Sequence, residues 1–150
     1  MNEINRVEKA ERLSKRRARI FAVLAVMFLA LQTVYLSNGA LVEASRISHF
    51  KIGAWAVNAL VLLVLLATGG NLLRGREVRG LLDDESTRAH RRLSLVWGFW
   101  TMMAVAFGLY MLDLFETVTT REVLHAVITF GVAVPLLVFS YLERRAYRDA

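Results

Sequence analysis

The chain has 150 residues, 56% of them hydrophobic, with a mean hydropathy of +0.44 and a formal net charge of +6. That is too apolar for an ordinary soluble domain of this length, so a membrane class comes first. The absence of cysteine excludes disulfide exchange, iron–sulfur clusters and thiolate metal sites.

Residues 1–19 read as a charged helix leading into an apolar run. Glu8/Arg12 and Glu11/Lys15 are spaced i,i+4 with the acid on the N-terminal side, the order that favours a helical ion pair. Ile4, Val7 and Leu13 add a thin apolar stripe. Together these predict an interfacial collar whose arginines meet anionic head groups. A docking helix for a protein partner is the alternative use of the same residues.

A hydrocarbon core of about 30 Å needs roughly 20 helical residues to cross it. Ile20–Leu36, Ile52–Ala67, Leu93–Leu112 and Val123–Leu142 approach that length and contain no Asp, Glu, Lys or Arg. With their flanks they predict four spans, over 20–37, 50–69, 93–113 and 121–142, with a loop over 70–92 and a basic tail over 143–150. The expected fold is an all-α, integral membrane four-helix bundle.

The first run ends at Ser37-Asn38-Gly39, a turn signal. Val42-Glu43-Ala44 resembles a signal-peptide cleavage site, but the apolar run before it exceeds a typical h-region, so the segment reads as a retained anchor. Ser48 is the expected N-cap of the second helix. That helix stops at Thr68-Gly69-Gly70-Asn71, where glycine can take the left-handed C-terminal conformation.

The stretch "GLLDDESTRAHRRL", Gly80–Leu93, is the most chemically dense in the chain. Asp83 or Asp84 can cap the helix entering the third span, with Glu85 in its first turn facing the positive dipole end. Asp84 and Arg88 are i,i+4, and Arg91 and Arg92 reach the head-group zone. As a hard-cation site, Asp83, Asp84 and Glu85 fail because three neighbours on one turn cannot converge on one ion. A recognition patch of alternating sign for a cytoplasmic partner is the stronger functional reading. Further on, Thr119 and Glu122 match a capping box at the start of the fourth helix, and Pro135 is expected to bend it. Arg144, Arg145 and Arg148 close that helix at its negative end.

Charge placement orients these elements. Sixteen Lys and Arg lie in residues 1–19, 70–92 and 143–150, and the remaining three are Arg46, Lys51 and Arg121. The positive-inside rule then puts both termini and the middle loop in the cytoplasm of a bacterial inner (plasma) membrane. Nine acids accompany the inner cations and four the outer ones, for +7 against −1. Topology thus accounts for the basic balance without nucleic acid. Tyr35, Trp55 and Tyr110 fall near the outer interface, and Trp97, Trp100 and Tyr141 near the inner.

The interval from Arg16-Arg17 to Tyr35 equals that from Arg91-Arg92 to Tyr110, and His49 and His125 follow at similar distances. This predicts two tandem hairpins of the same orientation.

"DDESTRAHRR" followed by an aromatic-rich span resembles the middle loop of small uncharacterised bacterial inner-membrane proteins, in which a short D-E-x-T-R-type motif precedes the third of four helices. The resemblance covers Leu82–Tyr110. Some similar proteins are encoded beside small helix-turn-helix regulators, so the resemblance implies a regulatory role and no particular activity.

At membrane depth the polar groups are Gln32, Asn58, Thr101, Thr129 and His125. Small proton-coupled exporters need an embedded acid, and four-helix quinone-linked disulfide oxidases need cysteines; both are missing here. Asn58 and Ala54 on the second helix, and Ala104 and Gly108 on the third, are expected helix-packing positions, within the chain or in a homo-oligomer. No nucleophile–base–orienter set and no glycine-rich phosphate loop is present, so an enzyme is not expected.

The function expected is that of a non-catalytic accessory or regulatory membrane protein working through protein contacts at its basic cytoplasmic face. That face would comprise Arg12, Lys15, Arg16, Arg17, Asp83, Asp84, Glu85, Arg88, Arg91 and Arg92. No cofactor is expected on this reading. The alternative is a redox subunit in which His49 and His125 ligate a b-type haem or a metal, and a further one is a channel or lipid-handling protein.

Overall fold

The computed structural model describes residues 3–39, 46–69 and 85–146, with side chains over 12, 15–32, 52–69 and 85–146. Among the described residues the chain is all-helical: α1 (Glu3–Gly39), α2 (Arg46–Ala67), α3 (Glu85–Asp113) and α4 (Thr120–Ala146). At 1.5 Å per residue, α1 is about 56 Å long and the charged N-terminal segment continues into the apolar run without a break.

Helix ends follow local chemistry. α2 closes where Thr68 N donates to Val64 O (3.0 Å) and Gly69 N to Leu66 O (2.9 Å), with Gly69 at φ 62°. Only glycine reaches that left-handed region without strain from a Cβ. The start of α2 differs from expectation: it begins at Arg46, so Ser48 lies inside the helix and is not its N-cap. Ser45, a residue of equal capping chemistry, stands directly before it and lies outside the described residues. α3 begins at Glu85, the position that an Asp84 cap predicts, although Asp83 and Asp84 themselves lie outside the described residues.

The turn between α3 and α4 is short and internally bonded. Phe115 N and Glu116 N both donate to Leu112 O at 2.9 Å, and Val118 N donates to the Asp113 Oδ1 carboxylate at 3.0 Å. The capping box then starts α4: Thr119 N donates to Glu122 Oε2 (3.0 Å) and Glu122 N to Thr119 Oγ1 (3.4 Å). So short a link leaves α3 and α4 antiparallel neighbours. α4 runs on through Pro135 without interruption to Ala146.

α4 is the hub of the bundle. It packs along α3 and α1, and to a lesser extent along α2. Its inner faces bury residues from His125 to Glu143, whereas α3 buries only Thr87, Ser94 and Gly98. The core joins Phe21, Ala25 and Phe28 of α1, Ala59, Leu62 and Leu66 of α2, and Val132, Ala133, Leu136 and Phe139 of α4. α3 approaches α4 through glycines: a Cβ on Gly98 would fall on the Pro135 ring, and one on Gly131 on the Met102 side chain.

The contacts fix the register. On α1 and α4, Arg17 meets Glu143, Ala18 meets Ser140 and Phe21 meets Phe139. Continued at the helical pitch, this antiparallel pairing sets Gln32 level with residues 126–128 of α4, adjoining Thr129. On α2 and α4, Trp55 lies beside His125, and the parallel pairing sets Ala59 level with Thr129. Among the described residues the packing does not show two equivalent hairpins: α3 lies along α4, whereas α1 packs far more on α4 than on α2. The reason is that α4 carries two apolar faces, and α1 and α2 converge on the same one.

Candidate functional site

Where α3 begins and α4 ends, beside the middle of α1, three helices bring polar side chains together. Arg17 stands one turn before Phe21 on the inward face of α1, and Glu143 one turn after Phe139 on the inward face of α4. Phe21 and Phe139 meet edge to face, with centroids 5.0 Å apart. The guanidinium carbon of Arg17 lies 5.7 Å from the Phe139 ring centre, within reach of a cation–π attraction. The aromatic pair thus forms an apolar floor below the charges.

On that floor Arg17 is 3% exposed and Glu143 2%. Arg17 Nη2 donates to Glu143 Oε2 at 2.6 Å and to Thr87 Oγ1 at 3.0 Å. Thr87 Oγ1 in turn donates to Glu143 Oε1 at 3.2 Å. His90 Nδ1 stands 3.5 Å from the same oxygen, an ion-pair contact when the imidazole is protonated. Nearby, Ser140 Oγ donates to Ala18 O at 2.8 Å and adds a second polar tie between α1 and α4. A buried charge pair is tolerated when its remaining hydrogen-bonding capacity is met, and Thr87 meets part of it from the third helix. The cluster therefore locks α1, α3 and α4 in one relative position.

Around this neutral pair the surface is basic. Arg12, Lys15, Arg16 and Arg19 of α1 are exposed, as are Arg88 and Arg92 of α3 and Arg144 and Arg145 of α4; Arg91 is half-buried. Glu85 is the exposed acid among them. Arg17 thus departs from its expected place on this face: one turn ahead of Phe21, it points into the bundle and its charge is satisfied internally. Thr87 and Glu143 were not singled out by sequence. Their signal is that Glu143 stands i,i+4 to Phe139, on the apolar face and not among the tail's cations.

At the opposite end, His125 is buried and stacks on Trp55, with ring centroids 4.5 Å apart and planes 29° from parallel. The side chain of His49 lies outside the described residues. Among the described residues no three His, Cys, Asp or Glu side chains converge as a metal site would require. Asn58 is half-buried, and Ala54, Ala104 and Gly108 are exposed; a Cβ on Gly108 would meet open space. The close helix approach falls at Gly98 and Gly131 and not at the Ala104/Gly108 pair. No family model matches the chain, nor does any curated protein or solved structure.

Proposed function

We propose that the chain is a non-catalytic, four-spanning protein of a bacterial-type inner membrane, accessory or regulatory, that engages a protein partner through its basic end. Both termini and the 70–92 segment lie on the cytoplasmic side in this reading. Two of its helices, α3 and α4, are long and apolar enough to cross a membrane. α2 carries a shorter apolar stretch, Ile52–Ala67. Support for a membrane also comes from the outward faces, where Val23, Met27 and Leu31 of α1, Val57, Leu60 and Val64 of α2, and Trp100, Met103 and Phe107 of α3 are exposed. An apolar surface so broad suits lipid as its solvent.

The observation that carries the functional reading is the Arg17–Thr87–Glu143 lock. By tying α1 to the start of α3 and the end of α4, it turns basic side chains from separate parts of the sequence into one rigid surface, which favours an acidic partner by charge complementarity.

Photo-crosslinking in intact cells tests this. A photoreactive residue at Arg16 or Arg88 is expected to yield a discrete protein adduct, and one at Phe107 only lipid adducts. The protein adduct should disappear when Arg12 and Arg92 are both changed to Glu. A basic end that yields no protein adduct, or an adduct indifferent to that charge reversal, overturns the reading.

A further inference from the structure

Gln32 is 5% exposed in α1, and neither its Oε1 nor its Nε2 has a hydrogen-bond partner in the protein. Thr129 of α4, 7% exposed, has an equally unpartnered Oγ1, and the indole Nε1 of Trp55 on α2 is buried without an acceptor. These side chains come from three different helices. The register described above sets Thr129 within about one to three residues' rise of the level of Gln32, with Trp55 one turn of α2 away. Asn58 and Ala59 share that level on α2. Buried amides, hydroxyls and indoles are almost always hydrogen-bonded in folded proteins. Three orphaned groups at neighbouring levels therefore call for a common partner.

The chemistry of the groups defines it. Gln32 presents two donors and a carbonyl acceptor, Thr129 a hydroxyl that serves as either, and Trp55 a donor only. The partner must accept from an amide or indole N–H and donate to a carbonyl. It must be neutral, because among the described residues the buried charges are Arg17 and Glu143, both at the other end of the bundle. An ion here would lose its hydration with no opposite charge to replace it. It must also be small, because Phe28, Ala59 and Val132 of the buried core adjoin this layer. We infer that the Gln32–Thr129 layer is a hydration site, holding ordered water inside the half of the bundle closed by the Trp55–His125 stack. A buried water commonly makes about three hydrogen bonds to such groups, which this layer provides. The inference rests on the packing of α1, α2 and α4 and is independent of the role proposed for the basic end.

Gln32 is the sole glutamine in the sequence, so selective side-chain ¹⁵N-glutamine labelling of the full chain in micelles gives one NH₂ pair, free of overlap. Cross-relaxation between those two protons and the water resonance is expected, of the sign that marks a bound molecule and not chemical exchange. The Thr129→Val protein should show that signal reduced at least severalfold. No dipolar signal to water in the native protein overturns the proposal and leaves a dry, unpaired layer. Cross-relaxation to lipid or detergent protons in place of water overturns it in favour of an amphiphile's hydroxyl group.

Discussion

Glu143 and Arg17 are each held by the other, and this makes their removal strongly non-additive. Deleting one partner strands a buried charge, which costs about 3–5 kcal/mol, whereas replacing both by apolar groups of similar volume is often neutral or stabilising. Arg17→Met and Glu143→Leu alone are each expected to lower the unfolding midpoint in detergent sharply. The double variant should regain most of the loss, with a coupling free energy above about 2 kcal/mol. Additive losses in that cycle would show that the pair does not work as a unit. At this scale the sequence is hard to read for a specific reason. Charge counting places Arg17 with Arg12, Lys15 and Arg16, and only its spacing from Phe21 tells that it points inward while they point out. Thr87 is harder still, since its partner lies 56 positions away and is reached only once α3 lies against α4.

The start of α4 carries the most complete local signal among the four helices. Thr119 and Glu122 satisfy each other's backbone N–H groups, and the Thr119 hydroxyl also donates to Glu122 Oε2 at 2.7 Å. Thr119→Ala should destabilise the protein by about 1 kcal/mol and speed amide hydrogen exchange in the first turn of α4, leaving exchange at Leu136 and Phe139 unchanged. Uniform acceleration along α4 would argue that the cap does not act locally. This box and the Thr68-Gly69 stop of α2 are legible in sequence because each is decided by residues within a turn of one another. The start of α2 is not legible because the cap chemistry of Ser48 does not tell that the helix already runs through it. The close approach of α3 to α4 escaped for another reason. Small residues occur at Gly98, Ala104, Gly108 and Gly131, and which of them face a neighbour depends on rotation of the helices about their axes.

For the whole molecule, the all-helical architecture follows from four charge-free apolar runs, but their grouping around α4 does not. A tandem repeat read from matched arginines and tyrosines rests on spacing along the chain, which does not govern which helices share a core. The common end reached by Arg17, Thr87, His90 and Glu143 fits the alternating up-down course that the cation distribution implies. A cysteine-free chain allows a direct test of which side of the membrane that end faces. With Ser86→Cys and Glu116→Cys introduced separately, an impermeant maleimide added to intact spheroplasts should label position 116 at once and position 86 only after permeabilisation. The reverse pattern, or equal labelling of both, would overturn the assigned orientation.

α1 contains neither glycine nor proline between Glu3 and Asn38, so its hydrogen-bond ladder is unbroken where the charged segment joins the bundle. The stretch from Glu3 to Arg17 is then a stiff arm of about 21 Å along the same axis as the apolar part. Anything that grips the far end of this arm applies leverage to the bundle. Among the described contacts it is resisted at Arg17, held by Glu143 and Thr87. A load on the amino end is thereby carried across to α3 and α4 through the Arg17 guanidinium, and to α4 also through the Ala18–Ser140 hydrogen bond.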